Sequence, residues 1–193
     1  MQKHISSGIT IFFIKEVAMN KDDLRVVKTE KALRSAYRDL IMKKPADEIT
    51  VTAVTEAALV NRRTFYLHYN TTDDLERDVA DEYADDTISA IHGSLAEGIH
   101  TYYESMNGGD AVFQRLLYSD DTYIFFREYT DRILSCDFFR NYYKKSPYPE
   151  LARGLFDSIT SIFLSWRQKK GDRPSLQDLS SQTADLIMHG LNR

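Results

Sequence analysis

The chain has 193 residues, enough for one large domain or for a small and a medium one. Its 42% hydrophobic and 28% charged residues are ordinary for a globular protein; no stretch approaches the ~18 apolar residues of a membrane span, and the single Cys136 excludes an internal disulfide or a cysteine-based metal cluster within one chain. The net charge of −4 hides an asymmetry: residues 21–70 carry ten Lys/Arg against seven Asp/Glu, residues 71–193 thirteen against twenty-one, so a basic end sits on an acidic body.

Few strand signals appear and apolar residues recur at helical spacing, which predicts an all-α chain. Residues 1–20 show no clear amphipathic period. Their apolar run Ile9 to Ile14 follows Lys3 but lacks the small-residue cleavage site of a secretion signal, so a cytoplasmic location is expected. Met19 stands just before the first strongly helical stretch; residues 1–20 are therefore read as an N-terminal extension, with a natural start at Met19 and a genuine extra arm as the alternatives.

From Leu24 to about Lys43, residues Leu33, Ala36, Tyr37, Leu40 and Ile41 form one apolar stripe, with Lys28, Lys31, Arg34 and Arg38 on the other faces. Pro45 breaks this helix, and Thr50 can cap a short second one ending near Ala58. A tight turn through Leu59, Val60 and Asn61 leads into a third helix, Arg62 to Tyr69, capped by Asn61 and with Phe65 and Tyr69 facing inward together. Thr71 and Asp74 resemble a capping box opening a fourth helix that runs toward Ile91. Two short helices on a longer first one make a helix-turn-helix, which presents its second short helix to the DNA major groove. Arg62 and Arg63 stand where arginine can pair bidentately with guanine, and Thr64, Tyr66 and His68 have donors of suitable reach for phosphate oxygens.

The stretch Ile49-Thr50-Val51-Thr52-Ala53-Val54-Thr55-Glu56-Ala57-Ala58-Leu59-Val60-Asn61-Arg62-Arg63-Thr64-Phe65-Tyr66-Leu67-His68-Tyr69 resembles the DNA-binding signature of the TetR/AcrR regulators, a likeness reaching back over Thr29–Lys43 and forward to Leu75. It implies that Arg62, Arg63 and Leu67 face bases, that Thr64, Tyr66 and His68 touch the backbone, and that Phe65 and Tyr69 are core; Thr50, Thr52 and Asn61 complete the expected DNA-binding set. Two residues depart from the family pattern. Leu59 stands where a turn glycine is usual, and Thr72 where a lysine usually meets phosphate. The division implied is a helix-turn-helix DNA-binding domain over 21–72 and a larger helical regulatory and dimerisation domain over 73–193.

Between Tyr102 and Tyr148 thirteen Phe/Tyr residues are concentrated. They form either an aromatic core or an effector pocket, for which Phe113, Tyr123, Phe125, Phe126 and Tyr129 are the candidates. Further on, Leu155, Ile159, Ile162, Phe163 and Trp166 form one apolar stripe, and Leu179, Thr183, Leu186 and Ile187 another. The family resemblance makes this antiparallel pair the dimer interface. The acidic run from Asp73 to Asp86 reads as the solvated face of the fourth helix.

The expected partners are a second copy of the chain, a palindromic double-stranded operator and a small-molecule effector. No membrane, metal or cofactor is expected. The expected role is a repressor released by its effector; the alternative is a TetR-like coactivator governed by a protein partner and lacking a small-molecule pocket. An enzyme is not expected, because His4, His92, His100 and His189 are scattered and no HExxH, paired Glu-x-x-His or glycine-rich phosphate loop occurs.

Overall fold

Leu33, Ala36, Tyr37 and Ile41 are each at most 4% exposed, and their shared face is what docks the first helix, α1 (Lys21–Ile41), on the rest of the molecule. The computed structural model describes residues 21–191, which contain ten α-helices and two 3-10 segments; the expectation for residues 1–20 lies outside them. After α1 come a 3-10 segment (Ala46–Glu48), α2 (Val51–Ala57) and α3 (Arg62–His68), which with α1 form the head.

The body begins with α4 (Thr72–Ala90), opened by the Thr71/Asp74 capping box that its sequence resembles. A second capping box, Ser94 with Glu97, opens α5 (Leu95–Asn107), and Asp110 caps α6 (Ala111–Tyr118). A 3-10 segment (Asp120–Thr122) leads into α7 (Tyr123–Leu134), followed by α8 (Asp137–Tyr143), α9 (Pro149–Gln168) and α10 (Leu176–Leu191). Helix α9 starts with Pro149 in its first turn, where a missing N–H costs nothing. Helix α4 packs along α7, and α5 along α10.

Aromatic side chains fill the body. Tyr102, Tyr103, Phe125, Tyr129, Phe139, Phe156 and Phe163 are fully buried. Each buried tyrosine hydroxyl finds a partner, as burial requires: Tyr102 pairs with Thr160 at 2.9 Å, Tyr103 donates to the Ile159 carbonyl at 3.0 Å, and Tyr129 lies 2.8 Å from Ser105 and 3.1 Å from Thr87. Gly98 allows α5 to meet α8 closely, since a Cβ there would fall 2.3 Å from the Phe138 ring. Among the described residues no helix is long and apolar enough to cross a membrane.

Candidate nucleic-acid interface

The helix-turn-helix is assembled from caps and a buried seam. Thr50 accepts the Ala53 N–H and starts α2, whose Val54 and Thr55 turn inward while Thr50 and Thr52 stay exposed. At its other end Val60 N bonds Thr55 O at 2.9 Å and Leu59 N bonds Glu56 O at 3.2 Å. This pair of bonds is the Schellman closure, which puts the residue after the cap in the left-handed region. Leu59 occupies that position at φ 55° although its side chain is 94% exposed and gains nothing from packing. The turn thus forms without its usual glycine, at the steric cost of a Cβ in that conformation.

Asn61 then accepts the Arg63 N–H at 2.8 Å and caps α3. Phe65 is fully buried and Tyr69 nearly so, with ring centroids 5.6 Å apart. Because that side is sunk into the head, the opposite side is presented outward: Arg62 and Arg63 are exposed, Tyr66 is 51% exposed and Leu67 76%. Neither guanidinium has a hydrogen-bond or ion-pair partner among the described residues. Two unneutralised guanidiniums therefore flank an aromatic ring and an aliphatic side chain on one rigid face.

Thr64 and His68 fall on the flank between these faces and are half-buried. His68 Nδ1 lies 3.1 Å from Glu30 Oε1 of α1, and its side chain is only 10% exposed. Its Nδ1 thus helps hold α3 against α1.

The acidic face of α4 is also more than a solvated surface. Arg34 meets Asp78 at 2.7 Å and Glu82 at 2.8 Å, Arg38 meets Glu82 at 2.7 Å, and Tyr69 donates to Asp78. Glu76 is 4% exposed. Asp78 and Glu82 take up the arginines of α1 and so hold the head on the body, and Glu76 accepts the Tyr37 hydroxyl of the same helix; local periodicity carried no sign of that pairing.

The five residues expected to line an effector pocket stand in different settings. Phe113, Phe125 and Tyr129 are buried and fill their own space, with Phe113 and Tyr129 ring centroids 5.2 Å apart and Phe125 stacked on Tyr129 at 6.0 Å. Tyr123 is 63% exposed, and Phe126 is half-buried along a surface groove beside Thr130 and Leu134.

The expected dimer stripe divides as well. Ile159, Phe163, Trp166, Thr183 and Ile187 are buried within the single chain, where Thr183 accepts the Tyr103 hydroxyl at 3.3 Å, and Leu179 packs against the same core. Leu155 and Ile162 are half-buried and Leu186 is 61% exposed. Tyr148, and Leu151 at the start of the same stripe, are about 70% exposed beside them. With Leu155 and Gly190 they line an open apolar groove of about 500 Å³.

The fold matches solved structures of transcriptional regulators. A TetR transcriptional regulator from Streptococcus agalactiae superposes with a TM-score of 0.62 at 21% identity, covering 86% of this chain and 97% of that one. The fatty acid degradation regulator FadR from Bacillus halodurans has a TM-score of 0.48 at 17% identity over 86% and 97% of the two chains. The dihydroxyacetone kinase operon activator DhaS has 0.43 at 19% identity over 85% and 96%. No family model matches the sequence, and no curated protein sequence does. The chain has the all-α fold of TetR-type regulators, with an N-terminal helix-turn-helix and a larger C-terminal helical domain.

Proposed function

We propose that this protein is a homodimeric, sequence-specific regulator of transcription that represses by occupying a two-fold symmetric duplex site. The observation that carries the reading is the outward face of α3, where the Arg62 and Arg63 guanidiniums, without partners among the described residues, stand beside exposed Tyr66 and Leu67. A guanidinium left unneutralised on a rigid helix fits the guanine edge or a phosphate, and Leu67 fits a thymine methyl. The apolar groove around Tyr148, Leu151 and Leu155, with exposed Leu186 beside Leu155, supports self-association, since a second copy would cover side chains that otherwise face water. Dimerisation would place two copies of α3 one DNA turn apart and tie them to a palindrome.

The body would receive the releasing signal. The mutual packing of Phe113, Phe125 and Tyr129 favours a second reading on this point, in which a protein partner supplies the signal instead of a small molecule held among those rings. Repeated selection from a pool of random duplexes on the full-length protein tests the central reading. The expected outcome is one two-fold symmetric motif; recovery of duplexes without any shared motif contradicts it.

A further inference from the structure

The connection between α9 and α10 is strongly basic although the body that carries it is acidic. Its run Arg167-Gln168-Lys169-Lys170-Gly171-Asp172-Arg173 holds four cations against one carboxylate, whereas the remainder of residues 71–193 holds nine against twenty. Five arginines elsewhere on the body are taken up by carboxylates: Arg77 by Asp74, Arg115 by Asp121, Arg132 by Asp85, Arg140 by Asp137, and Arg153 by Asp131 and Asp157. The loop differs. Arg167 lies 4.0 Å from the centroid of the Tyr118 ring and donates to the Gln114 side-chain oxygen at 3.1 Å, and Arg173 lies 4.0 Å from the Trp166 ring. None of Arg167, Lys169, Lys170 and Arg173 meets a carboxylate among the described residues, and the last three are exposed.

The loop is held in shape and has a definite place. Trp166 Nε1 donates to the Pro174 carbonyl at 2.8 Å and so closes the connection on itself, while Arg173 covers the indole; cations on a closed loop lose little freedom when they bind. Helix α9 starts beside α8 and runs to Gln168, where Arg167 meets Gln114 and Tyr118 of α6. The α6–α7 corner in turn lies against the head. There Asp121, held by Arg115, accepts the Ala46 N–H at 2.8 Å, and Glu76 accepts the Phe125 N–H at 2.9 Å and the Tyr37 hydroxyl of α1 at 2.8 Å. The basic loop therefore hangs at the head end of the body. The body's other lysine pair, Lys144 and Lys145, precedes Pro149 at the far end of α9, a helix of 20 residues and so about 30 Å long.

We propose that this loop is a second nucleic-acid contact, in which Lys169, Lys170 and Arg173 meet the sugar–phosphate backbone of the duplex that α3 reads. The proposal rests on the function proposed above, which supplies the duplex. An acidic body is repelled by a polyanion, most strongly at the end nearest to it, and an unneutralised basic loop at that end reverses the local sign. Phosphate contacts carry no sequence information, so the loop adds affinity and salt dependence and leaves the choice of motif to Arg62 and Arg63. With a second copy docked along α9 and α10, the loops of both chains stand between the two heads, over the stretch of duplex that neither α3 reads.

Fluorescence anisotropy on the full-length protein tests the contact, with the selected duplex and an unrelated duplex of equal length, titrated between about 50 and 200 mM salt. Wild type is compared with Lys169→Gln/Lys170→Gln and with Lys144→Gln/Lys145→Gln, which removes the same charge from the far end of α9. In the loop variant the slope of log affinity against log salt is expected to become shallower by about 0.9 for each lysine that meets a phosphate, up to about 3.6 for the four lysines of a dimer. Both duplexes weaken by the same factor, so the preference between them is kept, and the Lys144/Lys145 variant follows wild type. Equal slopes in wild type and the loop variant overturn the proposal and leave an acidic protein surface as the loop's partner. An equal change in the Lys144/Lys145 variant overturns it too, since net charge and not a local contact would then set the slope. A duplex selection that yields no motif, with the slope difference kept on unrelated duplex, sinks the sequence-specific reading alone; an intact motif with equal slopes sinks the loop contact alone.

Discussion

His68 Nδ1 sits 3.1 Å from Glu30 Oε1, which clamps the last turn of α3 to α1 and leaves the exposed face of α3 to Arg62, Arg63, Tyr66 and Leu67. The side chain with the most versatile chemistry on that helix therefore helps to position it. Glu30→Ala is expected to lower stability by about 1 kcal/mol, the usual worth of a partly buried hydrogen bond, and to weaken duplex binding without changing the selected motif. Urea unfolding and a repeated duplex selection check the two halves of this expectation. A changed motif would show that His68 contacts bases.

Leu59 holds φ 55° with nothing packed on its side chain. The left-handed conformation costs a non-glycine residue roughly 1–2 kcal/mol, of which the added freedom of a glycine in the unfolded chain takes back about 0.5–1. Leu59→Gly is accordingly expected to stabilise the protein by about 0.5–1 kcal/mol, read from the urea midpoint at unchanged slope. A loss of stability would mean that the turn draws support from Leu59.

The two carboxylates of the α6–α7 corner shift in opposite senses. Hydrogen bonding to Arg115, joined by the Ala46 N–H, holds the Asp121 carboxyl down to about 2. Its stabilisation is complete above an ordinary aspartate value of about 4 and is lost as pH falls from there through about 2. Burial raises the Glu76 carboxyl above its usual range, so its ionisation works against the fold as pH rises through that raised value. Asp121→Asn is expected to flatten the acid limb of the stability profile between about pH 4 and 2 while lowering stability at neutral pH. A parallel profile, merely displaced, would mean that Asp121 titrates alike in folded and unfolded chains.

Leu186 is 61% exposed beside half-buried Leu155. Leu186→Glu places a charge on the apolar face and is expected to yield folded monomers in sedimentation velocity, where wild type is expected to run as a dimer. A variant that remains dimeric would place the interface elsewhere.

The parts of this molecule legible in its sequence are those specified over a few residues. Thr50, Asn61 and the Thr71/Asp74 box announce helix starts by chemistry that acts within one turn, and Phe65 with Tyr69 fixes the inward side of α3 through helical period alone. What could not be read is the choice of partner. An apolar stripe such as Ile159, Phe163 and Ile187 looks the same whether α5 and α10 of its own chain or a second copy covers it. The charged series of α4 looks solvated until α1 delivers Arg34 and Arg38 against Asp78 and Glu82. Glu76 is the extreme case, a carboxylate in an acidic run whose burial depends on Tyr37, 39 residues before it, and Phe125, 49 after it. The aromatic cluster could be read as core or as pocket, and the mutual packing of Phe113, Phe125 and Tyr129 was not legible in the sequence.

The measurement closest to the central claim is the affinity of the selected duplex for wild type and for the Arg62→Ala/Arg63→Ala variant, at one fixed salt concentration and with circular dichroism confirming the fold of both. Each arginine paired to a base carries about 1–3 kcal/mol, so the double variant is expected to bind at least about 30-fold more weakly and to lose its preference over unrelated duplex. Undiminished affinity and preference in a folded double variant would contradict the assignment of α3 as the helix that reads DNA.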